Sequence, residues 1–301
     1  MKLSDLTSAV AECLVGHMGS QYGSCGLSAH GAGCINETYK AHGPGLDSVF
    51  IKTGPKSALP LYEQEIVGLE TLAHCHSFRI PQPYFCVEVD GTAILAMEFI
   101  ELAPVRSTNG AAFGEALAEL HSIEQTQYGL DADNYIGRTP QINQWRENWG
   151  DFFAEYRLFP QIRLAQSKGI RSQLAAKLEK LASGLAEYFG HYQPTASLLH
   201  GDLWTGNTAV DGEGKPCLFD PAIYFGDRET DLAMSRMFGA LPDSVYRSYH
   251  ACLPVREGHW VRQRVYDLYH WLNHVNLFGV TYLGQVEQAV DYVLPLMEKP
   301  C

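Results

Sequence analysis

The stretch His200-Gly201-Asp202-Leu203-Trp204-Thr205-Gly206-Asn207 decides the fold. It lies in an irregular island, 197–231, rich in glycine and aspartate, with helix-like text on both sides. An aspartate and an asparagine five positions apart in one loop can face a single cleft, one toward a hydroxyl and the other toward a divalent cation. Downstream, Cys217-Leu218-Phe219-Asp220 is a short apolar run that ends in a second carboxylate. Asp202, Asn207 and Asp220 together offer two carboxylates and an amide oxygen, a hard-oxygen set suited to magnesium.

Toward the N-terminus, residues 20–60 read as strand material broken by Gly23, Gly26, Gly31, Gly33, Gly43 and Gly45. Val49-Phe50-Ile51-Lys52 is a β-type run that ends in a lysine, ahead of a Gly54-Pro55 turn. Over 59–75 the residues Leu61, Ile66, Leu69 and Leu72 recur at intervals of three to five, which predicts an amphipathic helix carrying Glu63 and Glu65. Two strand-like runs, 84–89 and 93–99, flank Asp90-Gly91, a strong hairpin signal. Beyond Ile100 the pattern turns helical, over 111–121, 145–166, 171–189, 261–277 and 285–297. The predicted fold is α+β and bilobal: a small sheet-rich lobe over 1–100 and a larger helical lobe over 101–301.

The 301 residues are 46% hydrophobic and 19% charged, the balance of a folded globular chain. A formal net charge of −12 without a basic stripe argues against nucleic acid as a partner. A small phosphorylated ligand stays possible, because a local site can be positive on an acidic protein. Near the start, Leu3, Leu6, Val10 and Leu14 recur at helical spacing with no uninterrupted apolar run, so no secretory leader is expected. No stretch of about 18 apolar residues is present, so no membrane span is expected either. The 8 cysteines are scattered without a CxxC pair, which predicts reduced thiols in a cytoplasm.

Residues 200–207 fit the kinase catalytic-loop pattern H-x-D-L-x-x-x-N, with Asp202 at the position of the base and Asn207 at that of a metal ligand. The remaining kinase elements stand in kinase order. The loop His30-Gly31-Ala32-Gly33-Cys34-Ile35-Asn36 can fold over phosphates. Lys52 suits the lysine that holds the α- and β-phosphates, and Glu65, on the next helix, the glutamate that holds the lysine. Glu63 points elsewhere on that helix. Taken singly, each residue has a plainer reading: a loop aspartate caps a turn, and a lysine at a strand end is solvated. Their conjunction, in order, carries the functional reading. Neither Gly54-Pro55-Lys56-Ser57 nor Gly214-Lys215-Pro216 fits the G-x-x-x-x-G-K-[ST] loop. His270 and His274 stand four apart but lack the glutamate of a zinc-protease helix, and read as structural.

The chain resembles the fructosamine kinase (ketosamine 3-kinase) family, which is related to aminoglycoside and choline kinases and has the protein-kinase-like fold. GAGCINETYK, VFIK, YEQEIVGLETL, LAMEFI, GEALAELH, PQINQW, RLFPQ, HGDLWTGN, FDPAIYFGDRETDLAM and LNHVNLFG carry the resemblance nearly end to end. Gly201 stands where protein kinases usually have the loop arginine, and Asp220-Pro221 where they have Asp-Phe-Gly. Both departures imply a site assembled without activation-loop phosphorylation.

The resemblance implies that Asp202 takes the acceptor proton and that Asn207 and Asp220 hold Mg2+. It places Gly31, Gly33, Cys34, Asn36, Lys52 and Glu65 around ATP, with Met97, Glu98, Phe99 and Ile100 as the hinge beside adenine. Trp204 is implied to stack on the sugar or its amine-bearing part. Gln141, Asn143, Trp145, Arg157 and Gln161 resemble an insert that shapes the acceptor pocket, and His200 and Asp231 resemble braces of the catalytic loop. The implied reaction moves the γ-phosphoryl group of ATP to O3 of a ketosamine (ribulosamine, erythrulosamine or fructosamine), free or protein-bound, on a monomer or homodimer. Two alternatives remain at this stage: a kinase for an aminoglycoside, choline-like amine or hydroxy amino acid, and a nucleotide-binding regulatory protein without catalysis. Cys34 is either a redox-sensitive thiol over the phosphates or an inert small residue.

Overall fold

The computed structural model describes residues 2–31 and 37–297. Gly33, Cys34 and Asn36 lie outside the described residues. Helix α1 (Leu3–Met18) leads into β1 (Gly26–Ala29), β2 (Glu37–His42) and β3 (Val49–Pro55); helix α2 (Leu59–Leu72) and the hairpin of β4 (Pro83–Val89) and β5 (Thr92–Glu98) follow. The strands form one antiparallel sheet in the order β1-β2-β3-β5-β4. Asp90 and Gly91 both have positive φ, 50° and 80°, as a two-residue turn matched to the strand twist requires.

Side-chain alternation decides what each face of this sheet buries. Val49 and Ile51 of β3 and Ile94 and Ala96 of β5 pack against Val10 and Leu14 of α1. Ala93, Leu95 and Met97 of β5 point the other way and pack with Tyr62, Leu69 and Leu72 of α2. Lys52, next to Ile51, therefore emerges on the α2 face. That face shares a continuous apolar core with the helical lobe, including Phe113, Leu117 and Leu218.

The second lobe opens with α3 (Gly110–Leu120) and β6 (Glu124–Gln125), then a hairpin of β7 (Asn134–Ile136) and β8 (Thr139–Gln141). Helices α4 (Trp149–Phe153), α5 (Phe159–Ser167), α6 (Ser172–Ser183) and α7 (Leu185–Tyr188) come next. The island holds β9 (Ala196–Leu199), β10 (Thr208–Val210), β11 (Pro216–Leu218) and β12 (Tyr224–Gly226). Helices α8 (Glu229–Met234), α9 (Asp243–Cys252), α10 (His259–Phe278) and α11 (Leu283–Met297) complete the described chain. Helix α10 runs through the core, burying Val265, Tyr266, Leu268, Tyr269, Leu272 and Val275. Against it, Trp149 is fully buried and donates its indole N–H to Tyr266 Oη at 3.0 Å.

The predicted helix over 145–166 starts later, where Asn148 caps the N–H of Asp151 at 3.0 Å, and widens into a π turn over Ala154–Leu158. Pro160 follows directly, and its missing N–H removes a bond that a regular helix would need. The predicted helix over 171–189 breaks at Gly184. Helix α9 and the β7–β8 hairpin are not among the predicted elements, although Val245, Tyr246 and Tyr249 stand at helical spacing. Among the described residues no helix is long and apolar enough to cross a membrane.

Candidate active site

Strand β3 carries Lys52 to the floor of the cleft, where it is 5% exposed, a burial that a lone ammonium does not survive. Its Nζ donates to Glu65 Oε1 at 2.6 Å from α2 and to Asp220 Oδ1 from the island. Burial opposes the ammonium, but these two carboxylates hold the Lys52 pKa well above its ordinary value. Burial also pushes Glu65 up, and the lysine only partly offsets that. Two packing details fix the group. Asp220 sits in the left-handed region, φ 56°, which turns its carboxylate back toward Lys52. Gly68, one turn along α2 from Glu65, lies so close to Pro221 that an added Cβ would stand 2.8 Å from Pro221 Cγ.

The 200–207 loop forms the opposite wall. Gly201 has φ 82°, and a Cβ there would meet the Ala222 carbonyl oxygen at 2.0 Å, so no other residue fits. This is the physical reason for glycine between His200 and Asp202. His200 is fully buried; its Nδ1 accepts the Asp202 N–H at 3.2 Å and its Nε2 donates to the Phe219 carbonyl at 3.0 Å. Burial lowers its pKa, in keeping with a neutral ring. Asp231, on α8, accepts the backbone N–H groups of His200 and Gly201 at 2.7 and 2.9 Å and contacts His121 Nε2 at 3.2 Å. Burial works against its charge, yet these bonds hold Asp231 below the usual carboxylate range. Such contacts are what a brace of the loop requires.

Asp202 and Asn207 face each other across this loop. Asn207 Nδ2 donates to Asp202 Oδ2 at 3.0 Å and to the Asp202 carbonyl at 2.9 Å, leaving the amide oxygen as its free end. Burial raises Asp202 to about 7. Asp202, Asn207, Asp220, Lys52 and Glu65 all line one cleft, together with Trp204 and Gly206. The cleft is open to solvent, with a cavity volume of about 380 Å³.

This donor set fits a magnesium–nucleotide complex. Among the described residues no three His, Cys, Asp or Glu side chains form a metal cage. Magnesium does not need one, since it commonly takes one or two carboxylates and completes its shell with phosphate oxygens and water. Asp220 and Asn207 offer that partial shell. Of the segment expected as the hinge, none of Met97, Glu98, Phe99 and Ile100 is among the residues lining the cleft: Met97 is buried, the Glu98 N–H is donated to the Gln82 carbonyl at 2.8 Å, and Lys40 Nζ lies 4.0 Å over the Phe99 ring.

The expected acceptor-pocket insert is placed differently. Gln141, Asn143, Arg157 and Gln161 do not line the cleft; they are buried beneath it, and their polar groups pair with one another and with the core. Arg157 donates to the Ile142 carbonyl at 2.6 Å and to Asn143 Oδ1 at 2.7 Å, and its guanidinium lies 3.9 Å over the Tyr224 ring. Gln161 pairs with Asn273 and Asn276 of α10. Trp145 is half-buried against the core, its ring 6.1 Å from that of Phe225, and donates its indole N–H to Asp131 Oδ1 at 3.1 Å. A buried guanidinium or amide needs every partner it can reach, and that demand holds these groups in the core. Their link to the cleft is Asn134, which lines it and accepts from Gln141 and Asn143 at 2.8 and 2.9 Å.

Asn134, Tyr135 and Gly137 of the β7–β8 hairpin, with Tyr62 and Gln64 of α2, line the cleft unforeseen from the sequence. The Gly137-Arg138 turn between short β runs was the available signal, since glycine at the first turn position suits a tight hairpin.

The sheet, the lysine bridge and the loop facing it define a phosphotransferase of the protein-kinase-like fold. A solved structure of a candidate fructosamine-3-kinase from Haemophilus somnus matches with a TM-score of 0.87, covering 97% of this chain and 100% of that one at 26% identity. The chain belongs to the fructosamine kinase family, whose family model matches residues 6–295. A "Probable ketoamine kinase" of Synechocystis is 38% identical over 87% of this chain and 88% of its own length. A protein of Arabidopsis thaliana named "Protein-ribulosamine 3-kinase, chloroplastic" is 36% identical over 90% of this chain and 83% of its own.

Proposed function

We propose that the protein transfers the γ-phosphoryl group of ATP to the O3 hydroxyl of a ketosamine, with ribulosamine or erythrulosamine preferred over fructosamine. Residues 1–100 act as the nucleotide lobe and 101–301 as the catalytic and acceptor lobe. One observation carries the reading: Lys52 is bridged between Glu65 and Asp220 in the same cleft as the Asp202–Asn207 pair. The names of the two curated relatives support the acceptor class.

Asp202 orients the acceptor hydroxyl and takes its proton as the oxygen bonds to the γ-phosphorus and ADP leaves. A carboxylate whose pKa is raised to about 7 is a better proton acceptor than an ordinary aspartate at neutral pH. Lys52, held by Glu65, meets the α- and β-phosphates. Asn207 and Asp220 would hold magnesium, which when bound offsets charge on the phosphates. Met97, Glu98, Phe99 and Ile100 border the adenine, and Trp204 stacks on the acceptor. Because Asp231 and His200 hold the loop through backbone bonds already present, no phosphorylation is needed to assemble it. A phosphate on O3 makes the attached amine easier to eliminate, so the reaction suits the removal of sugar adducts, free or on proteins. A cytoplasmic site is consistent with the free thiols of Cys13, Cys25, Cys75, Cys86, Cys217 and Cys252.

The test is ATP consumption with ribulosamines, erythrulosamines and fructosamines, with an aminoglycoside and choline as controls. Turnover with ketosamines is expected. Asp202→Asn should retain nucleotide binding while losing roughly 10²- to 10⁴-fold in kcat. Turnover with the aminoglycoside or choline alone refutes the acceptor assignment.

A further inference from the structure

Outward from the catalytic loop runs a row of rings, of which Trp271 and Tyr282 also pack against the main core. Trp204 lines the cleft two positions after Asp202, and its indole abuts Gly206, where an added Cβ would stand 2.3 Å from the ring. Its edge meets Phe238 at 5.9 Å between centroids. Phe238 in turn meets His274 at 4.4 Å and Trp271 at 5.2 Å, and Tyr282 stacks on Trp271 at 5.9 Å. Phe278 closes the row 5.5 Å from His274 and is 45% exposed. Phe238 and Phe278 belong to neither apolar core of the protein. The row is tied to the loop, because Thr205 Oγ1 donates to the Phe238 carbonyl at 3.2 Å.

We propose that Phe238, Trp271, His274, Phe278 and Tyr282 form a shelf for the non-sugar part of the acceptor, favouring apolar or cationic substituents on the amine over acidic ones. The proposal rests on the functional reading above and deepens it. In a ketosamine the amine hangs on C1 and the reacting hydroxyl on C3, so a hydroxyl at Asp202 leaves the amine nearby and any substituent on it must run out of the cleft. Trp204 belongs both to the cleft and to the row of rings, so the row starts at the cleft wall, although its other five rings do not line the cleft itself. Ring faces carry negative quadrupole charge and attract a protonated amine. The net charge of −12 adds a general bias against acidic substituents. Burial lowers the His274 pKa, against the His270 carbonyl, which its Nδ1 contacts at 2.8 Å and which favours the charged ring.

The experiment compares two acceptors that share one sugar: the N-(1-deoxyribulosyl) derivative of methylamine and that of the side-chain amine of Nα-benzoyl-lysine amide. Tyr282→Ala and Phe278→Ala are expected to raise KM for the benzoyl-lysine adduct roughly three- to tenfold more than KM for the methylamine adduct. Tyr282→Phe, which keeps the ring, should restore the wild-type ratio. Both positions are at least partly solvent-accessible at the lobe surface, so two separate variants guard against a folding defect in either. A ratio that stays at the wild-type value in both alanine variants overturns the shelf. Wild-type protein that consumes ATP with neither adduct removes the functional reading and the shelf together.

Discussion

Replacing Gly68 by alanine should separate stability from catalysis. The new Cβ would lie 2.8 Å from Pro221 Cγ and 3.4 Å from Pro221 Cβ, against ordinary carbon contacts of about 3.5–4.0 Å. Helix α2 or the Asp220-Pro221 turn must therefore give way by roughly 1 Å. Overpacking of this kind costs about 1–3 kcal/mol, whereas alanine in place of glycine favours the helix by about 0.8–1 kcal/mol. The net loss of stability is then about 0–2 kcal/mol, well within the margin of a folded domain. The site has less tolerance. Glu65 lies three positions earlier on the same helix face, and Asp220 adjoins Pro221, so the displacement falls on the 2.6 Å Lys52–Glu65 bond and on the Lys52–Asp220 contact. A misplacement of about 1 Å can lower catalysis about 10²-fold. Steady-state kinetics with varied ATP should show kcat/KM down roughly 10- to 10²-fold. Urea denaturation should show the small stability change. Val67→Ala, at a 44% exposed position on the same helix, should leave kcat/KM for ATP at the wild-type value. A Gly68→Ala protein with wild-type kcat/KM would refute the argument that this close approach sets the site.

At the catalytic loop, Gly201→Ala faces both a φ of 82° and a carbonyl oxygen 2.0 Å from the new methyl group. It should destabilise the protein by about 2–4 kcal/mol in urea titrations and lower kcat severely. Wild-type values for both would show that the loop relaxes freely. Asp267 on α10 is 3% exposed, its Oδ1 has no partner, and burial raises its pKa to about 7, with Arg264 opposing. Since the unfolded value is about 3.9, the native state holds a proton that the unfolded chain has released between those pH values, and stability falls as pH rises from about 4 to 7. The advantage of Asp267→Asn over wild type should therefore grow across that window, by at most about 4 kcal/mol. Denaturant midpoints at pH 5 and pH 8 check this, and an equal difference at both would contradict it.

Much of the architecture was written locally. Positive φ at Asp90 and Gly91, the two-residue alternation that sends Lys52 to one face and Ile51 to the other, and the five-residue step from Asp202 to Asn207 are all properties of short segments. Their meaning needed only strand period and loop length. Glu65 could be preferred over Glu63 for a similar reason, because helical period separates their directions.

The sequence by itself determined which side of its own strand, helix or loop each of these residues takes. Tertiary structure alone decided which distant segment meets that side. Nothing in the order of residues told that Gly68 would admit Pro221, that Ala222 would leave space only for glycine at position 201, or that Phe238 would extend the ring of Trp204. Nor could it separate Arg157, Gln141 and Gln161 from cleft residues, since a polar side chain looks the same in sequence whether it bonds a ligand or a buried neighbour. Periodicity is carried by neighbours along the chain, whereas contact between remote segments is settled by how their volumes and unpaired polar groups fit together in space.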